Sequence, residues 1–575
     1  MNSKTNNKIQ PKENKNQEVI NLFKSGEIKA AKEKAEQLLK DYPYAYVTHN
    51  VLGAIFAAEN KLDEAMKCYN KSIEIKNDYA EAYNNLGVVF QKLYNLNEAI
   101  INYKKSLIYK SNFSEAHNNL GSAYFKLGKF EEAIEEFNHS IKIKDDYFEA
   151  YTNLGNTLSE LGKHEEAIVN YEHAISINRD YVEAHSNKGS ALSKLYKYEE
   201  AIKSHKEALK INPKSAEAYN LFGNTFSDMQ NFDEAINNYK KAQELDSEYN
   251  EAYLNEGIAR LSMCQFQEGW KKYEYRFDKY SSTRLDIGGV NSMIYKSEKC
   301  WDGKYLDGTL LIWSEQGIGD HIFFGSMIGE LQQFAKNIIF KVDKRLIHLF
   351  KRFFDKINFR NIKVESTEIK KSESFDKHIA SGSLAQYLRK NEESFKNSPK
   401  KYLIPSLSNE KKFKEKFSNN KNLKIGLSWK TLNKKQHNRN VDLEDLIPIL
   451  LIPNCDFFNL QFGNFDNEIK NFNLKNSVNI KKIEGVDNYH DIETLAAVIN
   501  NLDLVITIQN STAHLSSALG ANTWIMLPKN ARWHWPINKN KSLWYPSAKL
   551  FRQKKIDDWN FVVNSIGIDL KKIIN

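Results

Sequence analysis

Two glycines and an acid, Gly317, Gly319 and Asp320, stand between two apolar runs in a spacing that can do chemistry. Leu310 to Trp313 suits a buried parallel strand, the glycines break it, and Ile322 to Leu331 carries apolar residues at helical spacing. The order predicts strand, glycine turn and helix. Such a turn brings bare backbone N–H groups and a helix N-terminus to the carboxyl end of a strand, where open α/β sheets bind ligands. Asp320 falls at the helix start, where a carboxylate can act as a general base or can simply cap the helix.

The elements that must position this turn follow it in the chain. Short apolar runs at Asn337 to Val342, Ile362 to Val364 and His378 to Ile379 alternate with amphipathic segments, the pattern of β/α units in a parallel sheet. A Lys-rich stretch, Lys411 to Asn422, separates them from a second series with strands expected at Lys424 to Trp429, Phe457 to Gln461, Leu504 to Ile508 and Thr523 to Leu527. Two doubly wound domains facing each other across a cleft are expected, over residues 305–415 and 420–575. Residues 281–304 carry no clear period and read as a linker. Asp557 to Ile574 reads as an amphipathic helix crossing back to the first of these domains.

The 34-residue spacing of Gly53, Gly87, Gly121, Gly155, Gly189, Gly223 and Gly257 organises the first half, and Ala31, Ala65, Ala99, Ala133, Ala167, Ala201 and Ala235 keep the same step. Tyr69, Tyr103, Phe137, Tyr171, Tyr239 and Tyr273 follow in register, with His205 in the one remaining slot. This resembles the tetratricopeptide repeat, whose period and small and aromatic positions match, over residues 17–280. The small residues let two antiparallel helices approach, and each pair needs its neighbour to bury its apolar face. The last pair, ending at Tyr280, is expected to dock on the following domain. Residues 1–16 are polar and read as a disordered tail.

A polar ladder, Asn85, Asn119, Asn153, Asn187 and Asn255, precedes the repeat glycines and is interrupted by Val51 and Leu221. It resembles the asparagine ladder of protein O-GlcNAc transferases, which implies that these residues hold the backbone of an extended acceptor polypeptide. An amide offers both a donor and an acceptor for that purpose. Asparagine is also tolerated on a wet helix face, or bonds to the neighbouring repeat.

The 575 residues are too many for one core. Cys68, Cys264, Cys300 and Cys455 lie far apart with no metal or disulfide spacing, which fits a reducing cytoplasm. Neither a signal peptide nor a membrane-spanning run is expected. Residues 281–575 hold 45 Lys+Arg against 31 Asp+Glu, net +14, leaving 37 against 42, net −5, for the rest. A basic half favours anionic ligands, and no nucleic-acid motif accompanies it.

The segments GIGDHIFF, GLSWK, NLQFG, DLVITIQNSTAHLSSALGANTWIMLP and SLWYPSAKLFRQ, in that order, resemble tetratricopeptide-fused glycosyltransferases related to the ADP-heptose:lipopolysaccharide heptosyltransferases, over most of residues 305–555. The resemblance implies an α-helical superhelix followed by an α/β GT-B fold of two Rossmann-like halves, with a nucleotide-sugar donor in the cleft and neither metal nor cofactor. It implies that Asp320 is the catalytic base and that Gly317 and Gly319 keep its approach open. Lys430, Asn438 and Arg439 would meet the donor phosphates. Gln509, Asn510, Ser511, Thr512 and His514 would line the donor site, the last three presenting N–H groups, hydroxyls and an imidazole to an anion. A packed structural histidine is the other reading of His514. Gln509 departs from the family, whose members usually carry Asp there. Trp544, Tyr545, Pro546 and Arg552 match the family's tail and would close the cleft or pack a domain joint. Two functions stay open: a cytoplasmic inverting enzyme that glycosylates protein Ser or Thr, and a protein-binding scaffold whose transferase domain is degenerate. A glycan or lipid acceptor is a third possibility.

Overall fold

The computed structural model describes residues 10–277, 299–367, 374–418, 421–431, 439–537 and 539–574. The described chain falls into two compact units that divide between Pro213 and Lys214.

The first unit is helical throughout. Antiparallel pairs run from Glu13–Lys24 with Ile28–Asp41 to Val182–Lys194 with Tyr198–Ile211, one pair every 34 residues from Tyr46 onward. Of the polar tail expected over residues 1–16, residues 13–16 instead belong to helix Glu13–Lys24, which buries Val19 against the next pair, and residues 1–9 lie outside the described residues. Within each pair the glycine of the first helix faces the aromatic of the second. A Cβ on Gly121 would lie 2.7 Å from Phe137 Cε1, and one on Gly155 would lie 2.6 Å from Tyr171 Cε1. His205 fills the same slot against Gly189 and is fully buried, which pushes its pKa down to about 3 and leaves it neutral. Gly121→Ala should therefore lower stability by about 1–3 kcal/mol through overpacking. A thermal melt of the full chain checks this, and an unchanged midpoint would refute the close approach.

The second unit opens with two more pairs, Ala216–Asp228 with Phe232–Leu245 and Asn250–Ser262 with the shortened Phe266–Tyr273. Two all-parallel sheets follow. The first has β1 (Leu306–Trp313), β2 (Ala335–Val342), β3 (Ile362–Ser366) and β4 (Lys377–Ala380) in the order β3-β2-β1-β4. The second has β5 (Leu423–Ser428), β6 (Cys455–Asn459), β7 (Ile480–Lys481), β8 (Leu504–Ile508), β9 (Thr523–Leu527) and β10 (Ala548–Arg552) in the order β10-β9-β8-β5-β6-β7. Both orders reverse direction at their first strand, so β1/β4 and β5/β8 are the switch points where doubly wound sheets open a crevice. The apolar runs that signalled β8 and β9 are buried at every residue, as strands covered on both faces must be.

Three expectations change. The helix after the glycine turn stops at Gly325, and a separate 3-10 turn covers Ile328–Gln333. The Lys-rich stretch read as a separator begins inside helix Leu407–Phe417, which packs on helix Ile492–Asn500 of the second series; Asn501 Nδ2 donates to the Glu410 carbonyl at 3.1 Å and Phe417 lies 5.1 Å from Phe458. The C-terminal helix Trp559–Ile574 does not cross back: Trp559, Val562, Val563, Ile566 and Leu570 join the core of the second sheet with Leu446 and Ile449. Of the linker, Trp301 is buried, with its N–H donating to the His378 carbonyl at 2.9 Å; the part over 281–298 lies outside the described residues.

Candidate active site

The chain leaves β1 through Ser314, Glu315 and Gln316 before Gly317 starts helix Ile318–Gly325. Gln316 takes the left-handed conformation, φ 64°, which is costly for a residue with a Cβ. Its neighbours hold it there. Gln316 Nε2 donates to Tyr273 Oη at 3.3 Å, and the buried Glu315 carboxylate receives a two-point bond from Arg276 and the Gly382 N–H at 3.0 Å. Both Tyr273 and Arg276 belong to the last repeat pair and the short turn after it, so that pair sets the geometry of the turn.

Gly317 is the N-cap and faces open space, where a Cβ would meet nothing within 4 Å. The cap is therefore not Asp320. The Asp320 carboxylate lies instead 3.5 Å from His534 Nε2, with its side chain 14% exposed. Burial would raise its pKa, yet His534, Arg532 and His514 together hold it below the ordinary value of 3.8. The group is a carboxylate at neutral pH.

The N-termini of two helices meet here. Asn510 caps helix Ser511–Ala518 by accepting from Thr512 and Ala513 N–H, and its own amide donates to Ser428 Oγ at 2.8 Å. A Cβ on Gly319 would come within 3.3 Å of His514 Cδ2 and 3.8 Å of Ser511 Oγ, so Gly319 serves this helix approach. His514 bonds Tyr545 Oη through Nδ1 at 2.9 Å, and burial first, then the neighbouring His534 ring and Arg532, push its pKa down to about 3. It is a neutral, packed imidazole at the edge of the site.

A third loop, after β9, supplies Arg532 and His534. Arg552 donates to the Trp535 and Pro536 carbonyls at 2.9 and 3.1 Å, so this tail arginine shapes the loop and does not close a cleft. Trp533 stacks edge-on against Trp270 at 5.2 Å, and His534 lies face to face with Trp533 at 4.0 Å. Trp544 and Tyr545 are buried in the same aromatic cluster. Burial, offset in part by Asp320, lowers the His534 pKa below 6.5.

Two guanidiniums complete the charge pattern. Arg439 feels both Arg532 and Asp320, and burial together with Arg532 depresses its pKa to about 9. Among the described residues neither side chain has a hydrogen-bond or ion-pair partner of its own. Two unpaired cations beside a buried carboxylate are suited to an anion with two or more charged oxygens.

The other expected donor residues divide. Lys430 is drawn off by Glu468 at 2.8 Å, and its backbone is tied to Gln461. Thr512 is buried, its hydroxyl 3.5 Å from Ser428 Oγ, so it supports the turn and does not line a site. Gln509 is buried, accepts from Arg532 N–H at 3.2 Å through Oε1, and leaves Nε2 without a partner among the described residues. Ser511 remains half-exposed at the rim. Asn438 lies outside the described residues. Arg532 and His534 were missed in the sequence, although the run Arg532-Trp533-His534-Trp535 directly after a strand was a signal.

The asparagine ladder makes the inter-repeat bonds that were one of its two readings. Asn85, Asn119, Asn153 and Asn187 donate to Asn50, Asn84, Asn118 and Asn156 at 3.1, 3.0, 2.9 and 2.9 Å, and in the second unit Asn255 donates to Asn220 at 3.0 Å. Each ladder residue is half-buried, and its side-chain Oδ1 accepts no hydrogen bond among the described residues, so one amide acceptor per repeat stays available. Asn255 also lines a cleft of about 340 Å³ with Tyr273, Gln316, Arg532 and His534, which joins the ladder's last member to the surroundings of Asp320.

Comparison with known proteins bears on the repeats. Tetratricopeptide repeat models match residues 53–93 and 197–230, 112–180, and 80–112 and 216–249. Protein FlbA of Caulobacter vibrioides is 29% identical over 331 residues, covering 54% of this chain and 53% of that protein, so the chain spans about half the length of the curated relative it matches. Among solved structures, MamA is 29% identical, covering 28% of this chain and 95% of its own at a TM-score of 0.27. A tetratricopeptide repeat protein from Parabacteroides merdae is 17% identical, covering 43% and 98%, at a TM-score of 0.37. No helix of the described residues is long and apolar enough to cross a membrane. Period, packing and matched models agree that tetratricopeptide repeats, a protein-binding architecture, run across the N-terminal region of this chain.

Proposed function

We propose that the second unit is a metal-independent, inverting glycosyltransferase of GT-B type that moves a sugar from a nucleotide-sugar to a Ser or Thr hydroxyl of a polypeptide gripped by the repeat asparagines. The observation that carries the reading is the placement of an ionised, partly accessible Asp320 between two carboxyl sheet edges, beside the unpaired Arg439 and Arg532. The acceptor hydroxyl approaches from the cleft lined by Asn255 and His534. Its oxygen attacks the anomeric carbon on the face opposite the phosphate, the bond to the nucleotide breaks with its electron pair, and Asp320 takes the proton. A carboxylate held below its ordinary value is a weak base, so the proton transfers late, when the leaving bond is largely broken. The charge that develops on the phosphate falls to Arg439, Arg532 and the N–H groups at Ser511, with no metal needed in the reading.

Arg439→Gln with Arg532→Gln should weaken nucleotide binding at least about 100-fold, two charge-assisted contacts being lost. A thermal-shift panel of uridine, guanosine, adenosine and cytidine diphosphates checks this, since a ligand that binds the folded form raises the midpoint with concentration. Mass spectrometry of co-expressed candidate acceptors then looks for a sugar mass. The neutral Gln509, bonded to a backbone N–H where a carboxylate is usual, favours a second reading: a protein-binding scaffold with a degenerate cleft. No shift with any nucleotide would select it.

A further inference from the structure

One repeat of the first unit brings together donors that the others do not. His117 on helix Ser114–Lys126 faces Glu136 and His139 on helix Phe130–Ile143, and their ligating atoms all lie within 4.8 Å of one another. Glu136 and His139 are three apart, so they share a helix face. In the 34-residue frame the same two slots hold Cys68 and Lys71, Asn102 and Lys105, Asn170 and His173, Ser204 and Glu207, and Asn238 and Lys241. The slot of His117 is itself a tyrosine or histidine throughout: His49, Tyr83, Tyr151, His185, Tyr219 and Tyr253. A ring contact between these positions recurs without any donor set, as Tyr151 with His173 at 5.4 Å, so packing alone does not require three donors here.

The hydrogen bonds orient the imidazole. His117 Nε2 lies 3.1 Å from the Ser111 carbonyl, which can only accept, so that nitrogen carries a hydrogen. His49 and His185 make the same bond to the Pro43 and Arg179 carbonyls, each at 3.0 Å, so the orientation comes from the repeat turn. Nδ1 of His117 is thereby aimed at Glu136 Oε2, 2.6 Å away. A nitrogen lone pair and a carboxylate at that distance repel unless a cation, a proton or a metal ion, lies between them. A ring N–H given to a backbone carbonyl is how metal-bound histidines are commonly oriented, and here it leaves Nδ1 directed at a second potential ligand, the Glu136 carboxylate. His117 and Glu136 are 14% and 18% exposed, whereas His139 is on the surface with a ring nitrogen within 4.8 Å of both other ligand atoms.

We propose that His117, Glu136 and His139 form a Zn²⁺ site that ties the two helices of this repeat together, with the fourth position open to water. Two imidazoles and one carboxylate are a donor set that zinc takes in tetrahedral geometry. Metal distances of about 2.0–2.2 Å place tetrahedral ligand atoms roughly 3.3 Å apart, so the Glu136 oxygen moves outward by about 0.7 Å on binding.

The test uses the untagged full chain, stripped with chelator. Titration calorimetry with zinc chloride should show one equivalent bound, zinc should raise the thermal midpoint, and Co²⁺ should give the visible absorption of tetrahedral coordination. His117→Asn and Glu136→Gln should each lower zinc affinity by at least about 100-fold and abolish the midpoint shift, while His173→Asn leaves both unchanged. Glu136→Gln keeps the shape of the side chain and decides the matter if His117→Asn unfolds the repeat by circular dichroism. A wild-type chain that takes up no zinc, or a Glu136→Gln chain that binds it equally, would leave only an imidazolium–carboxylate pair and overturn the site.

Discussion

If the second unit transfers sugar as proposed, Asp320→Asn should lower turnover by about 10²–10⁴-fold, the usual contribution of a positioned general base, and should leave the affinity for the nucleotide-sugar unchanged. The split follows from the proposed division of roles: the carboxylate lies beside His534 at 3.5 Å and takes the proton, while Arg439 and Arg532 are the cations offered to the donor phosphates. Initial rates with a labelled donor, together with thermal shift of the same variant, check both halves. The pH profile adds a second constraint. Asp320 sits below 3.8, His514 near 3, and His534 below 6.5, so the base is fully ionised and both rings are neutral through the physiological range. A group with a depressed pKa loses its charge only as the pH falls through that lowered value, so kcat/KM should stay flat from about pH 7 to 8, with its acid limb below the ordinary histidine range. A limb centred near 6.5 that survives in Asp320→Asn would move the base to a histidine.

How much of this was legible depends on whether a feature is local in the chain. The repeat needed no structure, because a glycine and an aromatic 16 residues apart recur every 34 residues, and Gly121 with Phe137 shows why: the ring occupies the space of the missing side chain. Leu504–Ile508 and Thr523–Leu527 were readable as strands because burial on both faces leaves only apolar or β-branched residues. Strand Ala548–Arg552 was not, because at the sheet edge its alternate Lys549 reaches out to Asp569. Asp320 could be picked from its position after a strand, and Arg439 only from the family resemblance. Lys430 looked equivalent and is not, since Glu468, 38 residues away in the chain, claims its ammonium. Arg532 and His534 were hidden for the converse reason. Their loop is placed by Arg552 and by Trp533 against Trp270 of the last repeat, and no short-range pattern encodes either contact.

The same dependence on the last repeat makes Arg276 the most consequential structural residue of the second unit. Its guanidinium is fully buried and forks onto Glu315, with Nε and Nη2 each 2.8 Å from a carboxylate oxygen, while Nη2 also reaches Ser383 Oγ at 2.8 Å. Arg276→Ala leaves Glu315, itself 1% exposed, with the Gly382 N–H and no countercharge. Removing one partner of a buried pair costs about 3–5 kcal/mol, whereas exchanging both for neutral groups of similar volume costs far less. The expected result is a loss of about 3–5 kcal/mol in chemical denaturation of the second unit, largely recovered in Arg276→Met with Glu315→Gln. The double variant separates stability from function. It restores the fold but not the two-point bond that holds Glu315 next to the left-handed Gln316, so the turn carrying Gly317 and Asp320 loses its anchor. Nucleotide-dependent thermal shift should then persist, because Arg439 and Arg532 are untouched, while transfer falls. If Arg276→Ala costs less than about 1 kcal/mol, the ion pair is open to water and the last repeat does not set the geometry of the turn.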